Sequence, residues 1–430
     1  MARGSKTSDI ESVPLVEVKE DKNEAKSKII VPLVHSNPRS YKGRLGYACL
    51  NTILRSQKPP VFCSRTCRLD TVKKKGIEYV KELALQNVED IKALIEWNEA
   101  HGIKFMRMSS DIFPFSSHDD IGYELDFAKN ELAEIGELAA KYNHRLTTHP
   151  GQYNQLGSPN PLVVARTVKD LHYHATMLDY MGLPPDSIMI IHMGGMYGDK
   201  PATLSRFEEN YKNLPEHIKR RLVLENDELC YSVSDLLPVC QKLDIPLVLD
   251  WHHHSINPGE ATGILELLPA INATWTRRGL KPKQHYSESR PGAVSAMERR
   301  AHSDRVKTLP PCTDDVDLMI EAKDKEQAVL ELYKLYGLGP VDEEAYIPQK
   351  GVESKNTKGR KSSKKKKPTE EVIEEAVNEV VEVIETRAQR RKRVCVEETT
   401  VSIKEEEPST ALVKSKKRTT TKNKTKKKGT

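Results

Sequence analysis

Eight short apolar runs alternate along the chain with longer segments in which apolar residues recur every three or four positions. The runs predict buried β-strands at residues 44–50, 104–110, 145–149, 187–193, 222–226, 246–251, 282–287 and 317–322. The segments between them, among them VEDIKALIEWNEAH and YELDFAKNELAEIGELAAKY, have the spacing of amphipathic helices. Strand–helix alternation repeated eight times predicts an α/β protein built as a parallel (β/α)8 TIM barrel.

Two of the predicted helices are preceded by residues that commonly cap helix N-termini. Asn87 comes directly before VEDI, and Ser232 and Ser234 come before DLL. Side chains of this type accept hydrogen bonds from the free N–H groups of a first helical turn. We therefore expect one helix to begin just after Asn87 and another at the serine pair.

Seven apolar runs end at a histidine or an acidic residue. These endings are His118, His149, His192, Glu225, Asp250 with His253, His285 and Glu321. Burying an unpaired charge costs several kcal/mol, so a strand that serves only the core has no use for such residues. Because the carboxyl ends of parallel barrel strands share one face, these side chains predict a single polar site at that face.

The residue types of this set are typical of a metal centre. Imidazole and carboxylate ligands together suit Mn²⁺, Zn²⁺, Fe²⁺ or Co²⁺. With His302 there are nine candidate ligands, which exceeds what one ion takes and favours two or three ions. Glu225 is the predicted bridging carboxylate, with Asp250 and Glu321 as further candidates. Clustered ions lower the pKa of bound water and stabilise charge at a phosphate, so the pattern favours hydrolytic phosphoryl transfer.

Other catalytic arrangements have weaker support. Ser287 and Ser289 follow His285, but no Gly-x-Ser-x-Gly elbow accompanies them, and GMYGDKP lacks the lysine pattern of a phosphate loop. The IHMGG turn either presents backbone N–H groups to a phosphate or is a tight strand–helix connection. Cys63 and Cys67 form a close pair, but a zinc site would need a second one.

Composition divides the chain into a barrel and two tails. Charged residues make up 30% and the mean hydropathy is −0.60, which is low for a compact globule. We expect a disordered tail at 1–40, the barrel at 41–340, and a basic, mostly disordered tail at 341–430 with one helix at 369–390. Residues 351–430 contain 23 Lys+Arg and 13 Asp+Glu, a net of +10, so the total of +6 leaves −4 for the remainder.

Several classes of protein are disfavoured by what the sequence lacks. No apolar run approaches the ~20 residues that span a bilayer, so we expect no membrane partner. The first residues, MARGSKTSDIESVPL, lack the apolar core of a secretion signal. Seven cysteines at irregular spacing fit reduced thiols in the cytosol or nucleus.

The strings RLGYACLNTILR, HPGQYNQLGSP, IHMGG, LENDE, LDWHHH and HYSES, in this order, resemble the UV-damage endonucleases of fungi and bacteria. The resemblance covers about residues 41–340 and implies a TIM barrel with a metal cluster, usually Mn²⁺, with Zn²⁺, Co²⁺ or Mg²⁺ as alternatives. It also implies nicking of DNA immediately 5′ to cyclobutane pyrimidine dimers, 6-4 photoproducts and abasic sites. The products are a 3′-hydroxyl and a 5′-phosphate.

The resemblance also assigns roles to individual residues. It implies metal ligation by His118, His149, His192, Glu225, Asp250, His253, His285, His302 and Glu321. Catalytic roles fall on Glu225 and on Lys283, which matches a lysine that is carboxylated in some members. Gln152 and Tyr153 match a pair that wedges into the helix at the lesion. Tyr47 and Asn51 match residues that contact the lesion, although Tyr47 also fits a barrel-interior aromatic.

The expected partner is damaged double-stranded DNA, bound by a monomer, with downstream repair proteins as further candidates. The runs KSSKKKKP and RRKRV predict nuclear import or non-specific phosphate contacts, with mitochondria as an alternative location. Three rival functions stay open: a plain abasic-site endonuclease, a xylose-isomerase-like sugar isomerase, and a catalytically dead damage sensor.

Overall fold

The computed structural model describes residues 34–349, apart from residues 36, 261 and 262. The strands are β1 (Leu45–Ala48), β2 (Phe105–Arg107), β3 (Arg145–Thr147), β4 (Met189–His192), β5 (Leu222–Glu225), β6 (Leu247–Val248), β7 (Lys283–Tyr286) and β8 (Asp317–Ile320). The helices are α1 (Thr52–Ser56), α2 (Leu69–Lys75), α3 (Ile77–Ala100), α4 (Lys129–Lys141), α5 (Pro161–Tyr180), α6 (Lys200–Lys212), α7 (Glu216–Lys219), α8 (Val233–Leu243), α9 (Trp251–Ile256), α10 (Ile264–Thr276), α11 (Ala296–Arg299) and α12 (Glu326–Tyr336). Two 3-10 turns lie at Pro38–Ser40 and Asp126–Ala128.

The eight strands form a closed parallel ring. Hydrogen-bonded pairs run in the order β3-β2-β1-β8-β7 in one sheet and β4-β5-β6 in the other. Parallel bridges between Thr148 and Met189 and between Asp250 and His285 join the two sheets. Each strand therefore lies beside its neighbours in the sequence, and β8 lies beside β1. This is the (β/α)8 TIM barrel that the alternating pattern predicts.

The helices pack on the outside of the barrel through the apolar face that the sequence spacing creates. In α3, Val80, Ala84, Val88, Ile91 and Ile95 are all buried. Their separations of three to four residues place them on one side of the helix. The main apolar core therefore lies between strands and helices.

One of the two capping predictions is confirmed and the other is wrong. Ser232 caps α8 and exchanges hydrogen bonds with Asp235 in a capping box. Asn87, in contrast, lies inside α3, which begins ten residues earlier at Ile77. Its buried side chain accepts a hydrogen bond from the N–H of Arg65 (2.8 Å) and donates one to the carbonyl of Ile112 (2.9 Å). Tertiary hydrogen bonds, rather than a helix end, explain the asparagine.

A buried ion network closes the barrel at the amino ends of the strands, opposite the predicted site. Asp317 begins β8 and is fully buried. Its carboxylate lies 3.0 Å from Nη1 of Arg145 and 2.7 Å from Nζ of Lys281, and it accepts a hydrogen bond from the N–H of Arg44 at 2.9 Å. The network ties the starts of β1, β3 and β8 together.

The chain continues along the barrel after residue 340. Gln327 of α12 donates a hydrogen bond to the carbonyl of Ala345 and accepts one from the N–H of Ile347, both at 2.8 Å. The chain divides into the units Met1–Glu353 and Ser354–Thr430. The predictions for residues 1–33 and 350–430, including the helix at 369–390, lie outside the described residues. Among the described helices, none has the length and apolarity that crossing a membrane requires.

Candidate metal centre

Glu225 lies at the centre of the polar cluster at the carboxyl ends of the strands. It is the last residue of β5 and only 1% exposed. Its Oε2 lies 3.0 Å from Nε2 of His149 and 3.6 Å from Nε2 of His192, while its Oε1 lies 2.6 Å from Nδ1 of His285. Side chains from β4, β5, β7 and the end of β3 therefore meet at one carboxylate.

Two sets of three side chains have ligand atoms close enough to hold an ion. His149, His192 and Glu225 form one set, and Glu225, Asp250 and His285 form the other. Within each set the ligand atoms lie within 4.8 Å of one another. Because Glu225 belongs to both sets, the geometry suits a carboxylate that bridges two neighbouring metal positions.

Asp250 has an oxygen that the protein itself does not satisfy. Its Oδ1 caps α9 by accepting a hydrogen bond from the N–H of His253 at 2.7 Å. Its Oδ2 is buried and has no hydrogen-bond partner among the described residues, and the same holds for Nδ1 of His192. Leaving a buried carboxylate oxygen without a hydrogen bond is costly, so a cation at this oxygen would remove a penalty that the polypeptide leaves.

The protonation states around Glu225 suit metal binding. Burial lowers the pKa of His149 to about 4 and also lowers the pKa of His285, so both imidazoles are neutral near pH 7. Burial alone would raise the pKa of Glu225, but His285 and His192 hold it well below its usual range. Neutral imidazoles beside an ionised carboxylate are the forms that coordinate metal ions.

His253 behaves differently from the other histidines. Burial opposes its charge, yet the carboxylates of Asp250 and Glu225 outweigh burial and raise its pKa to about 9. Its Nδ1 lies 2.9 Å from the carbonyl of Asn226 and 3.9 Å from both carboxylates. In the metal-free protein the imidazolium therefore offsets part of the negative charge at the centre.

Glu321 reaches the cluster from the end of β8. Its Oε1 lies 3.2 Å from Nδ1 of His285 and pairs with the guanidinium of Arg107, the last residue of β2. Burial opposes ionisation of Glu321, but Arg107 and His285 hold its pKa well below the usual range. Arg107 was not among the predicted site residues, although a charged residue inside the run FMRMSS was a signal for it.

Lys283 lines the same pocket and is fully buried. Its Nζ contacts Nε2 of His285, two residues further along β7. Burial lowers the pKa of this lysine well below its usual range. The amine of Lys283 therefore loses its proton more readily than the amine of an exposed lysine. The catalytic role and the carboxylation of Lys283 stay predictions.

Four predicted ligands lie outside the two sets of ligand atoms in the described chain: His253 and Glu321, described above, and His118 and His302. His118 follows β2 in a loop, where its Nδ1 accepts a hydrogen bond from the N–H of Asp120 at 3.1 Å. His302 directs its Nδ1 to the carbonyl of Glu321, and its ring packs edge-on against His252 at 4.8 Å. Their metal ligation stays a prediction.

The predicted lesion-binding residues occupy two different environments. Tyr47 is fully buried and its hydroxyl donates to Oδ1 of Asn98 at 2.7 Å, while buried Asn51 caps α1. In this structure Tyr47 thus packs against α3, in the layer between strands and helices. Gln152 and Tyr153 are exposed in the loop after β3, and Tyr153 is 62% exposed. Contact with a lesion stays a prediction for all four.

A buried carboxylate on α5 holds the loop that carries Tyr153. Asp170 accepts hydrogen bonds from the hydroxyls of Tyr153 (3.1 Å) and Ser117 (2.7 Å) and from the side-chain amide of Asn154 (2.7 Å). Ser117 precedes His118 in the loop after β2, so one side chain links two loops at the mouth of the barrel. The sequence carries no local signal for this role, because an aspartate within an amphipathic helix usually faces solvent.

Comparison with known proteins gives consistent matches. The family model described as UV-endonuclease UvdE matches residues 43–349. The UV-damage endonuclease of Schizosaccharomyces pombe is 56% identical over 310 residues, which are 70% of this chain and 52% of that protein. The UV-damage endonuclease of Neurospora crassa is 49% identical over 350 residues, 71% of this chain and 53% of that protein. The chain thus spans about half the length of these two relatives.

A solved structure matches the fold as well. The crystal structure of SacUVDE superposes with a TM-score of 0.61 at 31% identity. The match covers 69% of this chain and 98% of that one. Nearly the whole of that protein therefore corresponds to the barrel described above.

Proposed function

Because this chain belongs to the UV-endonuclease UvdE family, we propose that it is a metal-dependent DNA repair endonuclease. It nicks double-stranded DNA immediately 5′ to cyclobutane pyrimidine dimers, 6-4 photoproducts and abasic sites, and so starts excision repair. The observation that carries the proposal is the position of Glu225, shared by two sets of ligand atoms at the carboxyl ends of the strands. Nuclear localisation through the basic C-terminal runs belongs to the same proposal.

The residues present fit a cluster of two or three divalent ions, with Mn²⁺ as the first candidate and Zn²⁺, Co²⁺ or Mg²⁺ as alternatives. His149, His192 and Glu225 would hold one ion, and Glu225, Asp250 and His285 a second. Such ions lower the pKa of bound water and stabilise the charge that develops on a phosphate. The unpartnered Oδ2 of Asp250 supports this assignment.

The protein's own groups orient the centre. In the metal-free protein, His149 and His285 hold Glu225 through its two different carboxylate oxygens, so its orientation is set from both sides before an ion would bind. Arg107 holds Glu321 towards the cluster and adds a positive charge where an anionic phosphodiester would approach. Surrounding partners of this kind usually change metal affinity or activity by about 10–100-fold when removed.

Lesion recognition would fall on the loop that also carries His149. A dimer must leave the stacked helix to reach a recessed site, and unstacking costs a few kcal/mol. Gln152 and Tyr153 are exposed beside the cluster, where they would fill the gap that the lesion leaves. Damaged DNA is already partly unstacked, so selectivity would come from the lower cost of deforming it.

The direct test uses purified full-length protein with ultraviolet-irradiated and intact supercoiled plasmid, with Mn²⁺ and with a chelator. We expect nicking only of irradiated plasmid and only with metal. Glu225→Gln should still bind damaged DNA and lose incision, because the amide cannot serve both ligand sets. Glu137→Gln, at an exposed position of α4, is the matched control and should cut normally. Full incision by the Glu225 variant would refute the role given to this carboxylate.

The choice of lesion separates this proposal from its closest rival. An oligonucleotide with one defined pyrimidine dimer and another with one abasic site should both be cut on the 5′ side. Cleavage of the abasic site alone would identify a plain abasic-site endonuclease. Metal-dependent binding without any cleavage would identify a damage sensor.

A further inference from the structure

The connection between β1 and α3 contains a concentration of positive charge. Residues 55–75, here called the basic segment, contain seven basic side chains and one acidic side chain, a net of +6. All of the chain before residue 351, including this segment, has a net of only −4. The remainder of that region is therefore distinctly acidic, and the basic segment differs from its surroundings in sign.

The charges of the basic segment are available to a partner. Arg55, Lys58 and Arg68 are exposed, as are the three lysines of the last turn of α2, Lys73, Lys74 and Lys75. In the part of the chain that the structure describes, none of these six is paired with a carboxylate. Only Arg65 is neutralised, by Asp90 at 2.6 Å.

The basic segment lies on the same side of the barrel as the metal centre. It follows the carboxyl end of β1, and it leads into α3, a helix of 24 residues. Asn98, near the end of α3, is hydrogen-bonded to Tyr47 within β1. Asn87, eleven residues earlier in α3, is hydrogen-bonded to Ile112 in the loop after the carboxyl end of β2. At 1.5 Å per residue, about 15 Å of α3 precedes Asn87. Its first turns and α2 therefore project beyond the strand ends.

The basic segment is also fixed to the barrel. The N–H of Phe62 donates to Asp90 at 2.7 Å, and the N–H of Arg65 donates to Asn87 at 2.8 Å. The guanidinium of Arg55 lies over the ring of Phe62, 3.5 Å from its centroid. Several cations are thus presented from an ordered support, which reduces the entropy lost when they bind a partner.

We propose that the basic segment is a docking surface for the sugar–phosphate backbone of duplex DNA, beside the metal centre. This inference rests on the proposed nuclease function and adds the element that holds the duplex outside the cut site. B-form DNA carries one negative charge per ~1.7 Å of axis, which is opposite in sign to the unpaired cations of the basic segment. Contacts to backbone phosphates carry no sequence information, so this surface would position DNA without reading its sequence.

The test compares two triple variants of the full chain. One is Lys73→Gln with Lys74→Gln and Lys75→Gln. The control is Lys141→Gln with Lys212→Gln and Lys242→Gln, three exposed lysines that also lie in the last turns of helices. These helices lead towards β3, β5 and β6, so the control lysines lie at the opposite end of the barrel. Binding of an intact duplex oligonucleotide is measured by fluorescence anisotropy over a series of KCl concentrations.

The logarithm of the binding constant falls linearly with the logarithm of the KCl concentration, and each phosphate contact contributes about 0.9 to the steepness of that line. The α2 variant, in which Lys73, Lys74 and Lys75 are replaced, should therefore have a slope that is less steep than the wild-type slope by up to about 2.7. The control should keep the wild-type slope, and the basic C-terminal tail contributes equally to all three proteins. An α2 variant with the wild-type slope, or a control with the same loss, would overturn the docking surface. If wild type still cuts irradiated plasmid in that case, the proposed function survives. A wild-type protein that neither binds the intact duplex nor cuts irradiated plasmid would overturn both.

Discussion

Removing the carboxylate of Asp317 should destabilise the barrel far more than removing an equally close but exposed carboxylate. Asp317 is fully buried and lies 3.0 Å from Arg145, whose side chain is also fully buried. Asp119 lies 2.7 Å from Arg166, but these side chains are 49% and 63% exposed. Asp317→Ala and Asp119→Ala therefore remove the same chemical group, once from a buried network that also includes Lys281 and the N–H of Arg44, and once from a single exposed pair.

The expected magnitudes follow from that difference. Loss of one partner from a buried pair leaves an uncompensated charge and costs about 3–5 kcal/mol, whereas an exposed pair contributes about 0–1 kcal/mol. Unfolding entropy of about 2.1 cal/mol/K per residue amounts to about 0.6 kcal/mol/K for a barrel of about 300 residues. Asp317→Ala should therefore lower Tm by about 5–8 °C, and Asp119→Ala by less than about 2 °C.

Thermal unfolding of both variants, followed by circular dichroism at one protein concentration, checks the prediction. The scans are made in a chelator, so that metal binding at the other end of the barrel does not contribute. Equal Tm shifts for Asp317→Ala and Asp119→Ala would refute the reasoning, because burial would then have no effect on the strength of the pair.

Three further predictions concern the mouth of the barrel and the metal centre. Tyr153→Ala should lower the ratio of binding to irradiated over intact duplex. Tyr153→Phe, which keeps the aromatic ring, should retain most of that ratio. An unchanged ratio for Tyr153→Ala would exclude a wedging role for this side chain. Asp170→Asn should cost about 1–3 kcal/mol of stability, because a buried acceptor of three hydrogen bonds is altered. It should also lower the ratio of binding to irradiated over intact duplex. Wild-type stability together with a wild-type binding ratio would contradict a role of Asp170 in positioning the loop of Tyr153. In metal-free protein, urea unfolding over a pH series should show opposite contributions from three buried histidines. Burial lowers the pKa of His149 and His252 to about 4, so stability is lost as pH falls from 6.5 towards 4. The pKa of His253 is raised to about 9, against the effect of burial, by neighbouring carboxylates, so stability is also lost as pH rises from 6.5 through 9. Burial lowers the pKa of Lys283, which contributes with the opposite sign over this range, so wild type is compared with His253→Gln. A stability advantage of wild type that did not shrink between pH 6.5 and 9 would contradict the assignment for His253.

The central part of the candidate site was predictable because its residues lie at the ends of strands. His192 and Glu225 are the last residues of β4 and β5, and Asp250 and His285 lie within or just past β6 and β7. Once the strands are parallel and adjacent in a ring, their carboxyl ends must converge. Hydrophobic periodicity determines where each strand ends, so it also brings these side chains together.

The loops were much less predictable. His118 lies eleven residues past the end of β2, and His302 lies sixteen residues past the end of β7. Strand pairing does not determine where such positions fall, and the structure places both outside the two sets of ligand atoms. The local signal at Asn87 was misleading, because a polar side chain that can cap a helix can equally bind two loops across its side.

The sequence by itself determined the barrel, the face at which the polar side chains meet, and the types of residue gathered there. These depend on short-range periodicity and on residue chemistry, both of which can be read locally. Only the tertiary structure decided that Arg107 would hold Glu321, 214 residues away, and that Asp170 would anchor the loop of Tyr153. Such contacts depend on packing between distant segments, which leaves no periodic pattern in the chain.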